Sequence, residues 1–376
     1  MCATTAFGKN KMNMKHLLGF LALFPLALAP ANDRVLAQEA HLPPGMVLKF
    51  DGKPQNISFS NGDVRLAGVL VEPEGKGPFP AVVLVHGSGP QMHDQPAFIV
   101  HANAFLKEGF AVLAYDKRGS GSSTGELESS DYDDLARDVA AAVTFLRARP
   151  AIAATKIGLL GRSEGGWVSS LAASHDPKIA FVIMSSGCAV GPLEETLYET
   201  RRGLQESGVS TDLVEQAAKF KTALWEFDRR VAAGKTSAET LRSERAILLK
   251  QLADLHQAKV AQLPYVMDPE VEDRRKFAAI ANMISYDPQP ALNALRAPLL
   301  EAIGTDDEAV DPATTLAALE KLRTTGRNIT TRTFPGVGHS LLKMQGATIL
   351  GYADGYLDFI VAWSSSVLSW QRPASK

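Results

Sequence analysis

Short strand-like runs, most of them dominated by apolar residues, recur along this chain, separated by longer stretches in which apolar and polar residues mix at helical spacing. Phe79–Val85 is the first such run, and others follow at Ala111–Tyr115, 156–161, 179–185, 298–303 and Ile329–Phe334. A continuous apolar run bounded by turn residues suits a strand covered on both faces, as in a parallel sheet. Ahead of them, residues 56–59 and 64–70 alternate polar with apolar around Asn61-Gly62-Asp63, which predicts an antiparallel hairpin. The clearest helix is Tyr132–Arg147, with Leu135, Val139, Val143 and Leu146 on one face and acids in its first turn. Strands alternating with helices predict an α/β fold with a mostly parallel, doubly wound sheet.

Residues 190–290 break the alternation. They hold no strand-like run, and Leu213, Ala217, Phe220, Leu224, Phe227 and Val231 keep a helical spacing. Thr236-Ser237-Ala238-Glu239 reads as a capping box opening another helix toward Val260. This is a helical insertion after the sixth strand. Parallel strands present their carboxyl ends to one crevice, so the insertion is expected to cover that crevice as a lid. The expected division is 1–37 leader, 38–189 first part of the core, 190–290 lid, and 291–376 second part of the core.

Composition adds three constraints. The 376 residues are 45% hydrophobic and 21% charged, which suits a globular α/β protein with an insertion. The net charge of -2 offers no basic field for nucleic acid or an anionic membrane. Lys9, Lys11 and Lys15, the apolar residues 17–29 and the small-residue site Val35-Leu36-Ala37 have the layout of a signal peptide cut near Ala37. The expectation is an exported protein, periplasmic or secreted, with no stable membrane association after cleavage. Removing Cys2 would leave Cys188, which ends an apolar run and reads as a small core residue.

The chemistry is concentrated at Gly161-Arg162-Ser163-Glu164-Gly165, set between a strand-like run and a helix-like segment. A Gly-x-Ser-x-Gly in that order is a nucleophile elbow, whose strained serine is lifted clear of the sheet. A serine hydroxyl needs a base in contact and a third group to orient the base. On such a sheet the chain order is serine, acid, histidine. Three histidines follow Ser163. His175 ends the helix begun at the elbow, about 18 Å away at helical rise. His256 falls on a surface-facing helix of the insertion, leaving His339 in a glycine-rich loop after the last strand. The acid should close the preceding strand, where Asp306, Asp307, Glu308 and Asp311 crowd one loop. The oxyanion donors expected are the backbone N–H of Glu164 and that of Ser88, in His86-Gly87-Ser88-Gly89-Pro90. His86 is expected to hydrogen-bond locally. Gly119-Ser120-Gly121-Ser122-Ser123 lacks a Walker lysine and is not a phosphate cradle.

These motifs together resemble the α/β-hydrolase superfamily, in particular its secreted esterase and serine-aminopeptidase-like branch. The resemblance rests on His86 to Pro90, on Tyr115-Asp116-Lys117-Arg118-Gly119-x-Gly121-x-Ser123, and on the spacing of Gly304, Asp307 and Val310. That last match implies Asp307 as the acid. The function implied is hydrolysis of a small-molecule acyl ester through an acyl-enzyme, using Ser163, His339 and Asp307 and no cofactor or metal. Amide cleavage of the aminopeptidase type, in which Glu164 or lid acids hold the substrate's amine, is the alternative. Glu164 could equally pair with Arg162. Thioesterase chemistry fits an exported protein less well, because coenzyme A esters are intracellular. A silent hydrolase-fold binder would lack a triad member, and none is missing.

Overall fold

The computed structural model describes residues 48–260, 263–346 and 348–370. The signal-peptide reading falls outside these residues. Eight strands form one sheet: β1 (Gln55–Asn61), β2 (Val64–Val71), β3 (Phe79–Val85), β4 (Ala111–Tyr115), β5 (Ile152–Arg162), β6 (Val182–Ser185), β7 (Leu299–Gly304) and β8 (Ile329–Phe334). Their order across the sheet is β1-β2-β4-β3-β5-β6-β7-β8. β1 and β2 are antiparallel with Asn61 opposite Val64, so the alternating segments do form a hairpin. β2 runs antiparallel to β4, and every pairing from β4 to β8 is parallel. The doubly wound sheet expected from the apolar runs is the architecture observed.

The helices are α1 (Pro96–Lys107), α2 (Tyr132–Arg147), α3 (Glu164–His175), α4 (Pro192–Glu206), α5 (Thr211–Ala233), α6 (Ala238–Gln257), α7 (Arg274–Ile284), α8 (Gln289–Ala294), α9 (Pro312–Thr324) and α10 (Tyr356–Val367), and those outside the insertion cover both faces of the sheet. Successive residues of β3 serve opposite layers. Ala81, Val83 and Val85 join the core beneath α2, α3 and α8, while Val82 and Leu84 join the core beneath α1 and α10. α2 begins where its sequence says: the Asp131 carboxylate accepts from the Asp134 amide at 3.1 Å, and Asp134 returns the bond at 3.2 Å.

The chain leaving β6 runs through α4 to α8 before returning as β7. The helix-spaced residues of 213–231 lie on α5, which buries Val214, Ala217, Phe220, Leu224, Phe227 and Val231 in a third core shared with α6 and α7. The expected capping box does not form, and a one-way cap one residue further on takes its place. Ser237, not Thr236, is the N-cap, because its hydroxyl accepts from the Thr240 amide at 3.2 Å. α6 stops at Gln257, and Val260 folds back into the third core. α7 docks on the segment after β4, where Lys276 meets Glu128 at 2.6 Å and Asn282 donates to Asp131 at 2.9 Å. A hairpin of β9 (Leu342–Gln345) and β10 (Thr348–Tyr352) follows the His339 loop. Strands of four and five residues are too short to leave a readable period, so the apolar pattern does not announce them.

Candidate active site

β5 ends at Arg162 and α3 starts at Glu164, leaving Ser163 alone to turn the chain at φ +50° and ψ −123°. The turn is too tight for side chains at its flanks. A Cβ on Gly161 would lie 2.0 Å from the Gly165 carbonyl oxygen, and one on Gly165 would lie 2.6 Å from the carbonyls of Val85 and His86. The Ser163 amide donates to the Ser185 carbonyl at 3.0 Å, tying the elbow to the end of β6. Ser163 thus follows β5, Asp307 follows β7 and His339 follows β8, all at the carboxyl edge of parallel strands.

Asp307 is fully buried, and its Oδ1 accepts from the amides of Ala309 and Val310 at 3.0 and 2.8 Å. His339 Nδ1 lies 3.0 Å from that oxygen and 3.1 Å from Oδ2. A carboxylate accepts there, so in the neutral imidazole Nδ1 carries the hydrogen and Nε2 the lone pair. Burial by itself draws the imidazole down. The Asp307 carboxylate, through charge and hydrogen bond, and Glu308 outweigh it, so His339 is raised to about 9. The loop's other acids have separate places. Asp306 is exposed beside the Thr305 hydroxyl, Asp311 caps α9, and Glu308 accepts from the His339 backbone amide at 3.1 Å. The support from Glu308 was not legible in the sequence, because four neighbouring acids look alike until the loop folds. His175 and His256 are both exposed, at the end of α3 and on α6.

The turn after β3 lies against the elbow: a Cβ on Gly87 would sit 3.5 Å from that of Ser163. Gln91 clamps this turn, accepting from the Gly87 amide at 3.2 Å and donating to the Ser88 carbonyl at 3.0 Å. His86 is buried and donates from Nε2 to the Tyr115 carbonyl, so its bond reaches β4 instead of staying within its own turn. Burial, with the Lys117 charge nearby, lowers it to about 3 and keeps it neutral. Glu164 pairs with Lys117, not with Arg162: Lys117 Nζ lies 2.7 Å from Glu164 Oε1 and 2.8 Å from the Gly87 carbonyl oxygen. The glycine- and serine-rich segment after Lys117 wraps an internal anion. Asp116 accepts from the Ser122 amide at 2.8 Å and from the His93 amide at 3.0 Å. Arg118 grips buried Asp138 with two bonds of 2.7 Å.

The insertion reaches this site through α4. Tyr198 donates its hydroxyl hydrogen to the Asp307 backbone carbonyl at 2.9 Å. Glu195 lies within electrostatic range of His339, Asp307 and Glu164, and burial followed by the charge of Glu199 pushes its carboxyl well above the usual range. Burial likewise raises Glu199 and lowers Lys221 of α5, whose Nζ donates to the Thr200 hydroxyl at 2.7 Å. Nothing in the spacing of α4 marks these residues as facing a reaction centre. Cys188 is buried, with its thiol pushed up by burial. Among the described residues no group of three or more His, Cys, Asp or Glu side chains is placed to hold a metal ion.

The family model described as serine aminopeptidase, S33, matches residues 76–344. Esterase EstD of Thermotoga maritima is 30% identical over 166 residues, covering 42% of this chain and 39% of that one. The bifunctional esterase/perhydrolase DCH of Acinetobacter calcoaceticus is 36% identical over 124 residues, or 32% of this chain and 41% of the other. This chain therefore spans about two-fifths of the length of these two relatives. The solved esterase Pf2001 of Pyrococcus furiosus superposes with a TM-score of 0.52 at 17% identity, covering 86% of this chain and 92% of that one. At that identity the likeness is one of fold, and it agrees with the sheet order above.

Proposed function

This chain belongs to the serine aminopeptidase (S33) family of α/β-hydrolases, and from that premise we propose that it cleaves small-molecule carboxylic esters through an acyl-enzyme. One observation carries the reading. His339 Nδ1 is hydrogen-bonded to a buried Asp307, at the sheet edge where Ser163 sits in a strained elbow. In the proposed cycle Ser163 Oγ attacks the ester carbonyl carbon while His339 Nε2 takes its proton. The carbonyl oxygen becomes an oxyanion, held by the N–H groups of Ser88 and Glu164. Collapse expels the alcohol, which leaves with the proton from His339. Water then attacks the acyl-enzyme with the same base, releasing the carboxylic acid and restoring Ser163.

Amide cleavage of an amino-terminal residue is the second reading, and Glu195 favours it by its position near His339. Desolvation and the neighbouring Glu199 charge raise the Glu195 carboxyl well above its usual range, which works against holding an incoming ammonium by charge. Esters therefore rank first. The test is a screen of nitrophenyl esters of graded acyl length beside aminoacyl arylamides, with fluorophosphonate labelling of Ser163. Ester turnover lost in a folded Ser163→Ala variant is the expected result. Arylamide turnover above ester turnover would reverse the ranking, and no labelling of the folded protein would end the proposal. Export is proposed on the N-terminal pattern alone, and N-terminal sequencing of the mature protein checks it.

A further inference from the structure

The Lys117–Glu164 ion pair joins the two halves of the proposed oxyanion hole. Both side chains are buried, at 4% and 2% relative exposure, so the pair is shut away from water beneath the site. Its second bond is the informative one. Lys117 Nζ also donates to the carbonyl oxygen of Gly87, 2.8 Å away. That carbonyl and the Ser88 N–H belong to one planar peptide unit, in which the two groups point in opposite directions. A cation fixed on the Gly87 oxygen therefore fixes the direction of the Ser88 N–H. It also draws electron density toward the oxygen and makes the N–H a stronger donor. The Glu164 carboxylate on the other side of Lys117 belongs to the residue whose own N–H is the second donor.

We propose that Lys117 is a positioning residue that aims and polarises the oxyanion donors, an inference that rests on the ester-hydrolase reading of the site. Adhesion alone does not account for the pair. Well-packed apolar side chains hold two segments together as firmly as a buried ion pair does, often more firmly. What apolar side chains lack is a charge-assisted bond to one chosen carbonyl. Gln91 holds the neighbouring groups, the Gly87 amide and the Ser88 carbonyl, but leaves the Gly87 oxygen to Lys117.

The experiment compares the wild-type chain with Lys117→Met and with the double variant Lys117→Met/Glu164→Met, which leaves no orphaned charge if the single variant fails to fold. Active sites are counted with a fluorophosphonate, and kcat and KM are measured on a nitrophenyl ester. Inhibition is measured with a trifluoromethyl ketone, which forms a tetrahedral oxyanion on the serine, and with the matching methyl ketone. The expected result is a loss of about 10- to 100-fold in kcat per active site, with KM within about 3-fold. Affinity for the trifluoromethyl ketone should fall by a similar factor while methyl ketone affinity holds. A purely structural role would lower the count of active sites and leave the ratio of the two ketone affinities unchanged, and that result in either folded variant overturns the inference. A wild-type chain that neither hydrolyses esters nor is labelled would overturn the ester-hydrolase reading and this inference with it. Wild-type turnover with an indifferent Lys117 would overturn this inference alone.

Discussion

At Ser163 the backbone stands at φ +50°, a region that costs a side-chain-bearing residue on the order of 1–3 kcal/mol. Glycine occupies that region freely, so Ser163→Gly should be inactive yet melt about 1–3 °C higher than the wild type. A melting temperature equal to or below that of wild type would argue that the turn is relaxed. His339 makes a prediction of opposite character. With its pKa raised to about 9, the imidazole is protonated at neutral pH and cannot accept the Ser163 proton, so kcat/KM should climb with pH to an inflection near 9. The linked stability runs the other way. A raised histidine pKa adds stability that is complete below its unfolded value of about 6.5 and is lost as pH rises through about 9. Asp307→Asn removes the main raising influence and frees the tautomer, so it should lower kcat by about 10⁴-fold and move the inflection to lower pH. A pH profile unchanged by that substitution would detach Asp307 from His339.

At the scale of an element, α5 carries its own titration. Asp228 is 3% exposed, its Oδ1 has no hydrogen-bond partner, and burial raises its carboxyl to about 7. A carboxyl raised in the folded state costs nothing while both states are protonated. Its penalty grows as pH rises from about 4, and it is complete above about 7, on the order of 4 kcal/mol. Asp228→Asn should therefore stabilise the insertion at pH 8 and change little at pH 4, as read by thermal melts at both values. Equal effects at the two values would show that Asp228 titrates normally. α4 is joined to the acid loop by the Tyr198 bond to the Asp307 carbonyl. Tyr198→Phe removes about 1 kcal/mol of neutral hydrogen bonding, and faster amide exchange along α4 is the expected sign that this bond holds the helix down.

Across the whole molecule, two cores sandwich the sheet and a third lies within the insertion. If the insertion is a separable lid, cavities in the two kinds of core must act differently. Phe227→Ala, in the third core, should speed exchange through α5 to α7 and spare β3 and β5, whereas Leu113→Ala, in the sheet, should speed exchange throughout. Uniform acceleration by both would make the insertion part of one cooperative unit. The sheet, the elbow and the helix spacing of α5 were legible in the linear chain because each rests on a local rule: strand period, steric room at Gly161 and Gly165, helix period. The proposal of His339 as the base rests on chain order, which eliminates its rivals. The choice of Asp307 over Asp306 drew on family likeness, because two adjacent acids differ only once the loop turns one inward and the other out. What tertiary structure alone decided are the partnerships across long sequence separations: Lys117 with both Gly87 and Glu164, Glu308 with the His339 amide, Tyr198 with the Asp307 carbonyl. Periodicity records which face a residue turns toward a neighbouring element. It carries no record of which polar atom waits there, since that depends on the packing of segments brought together only when the sheet closes.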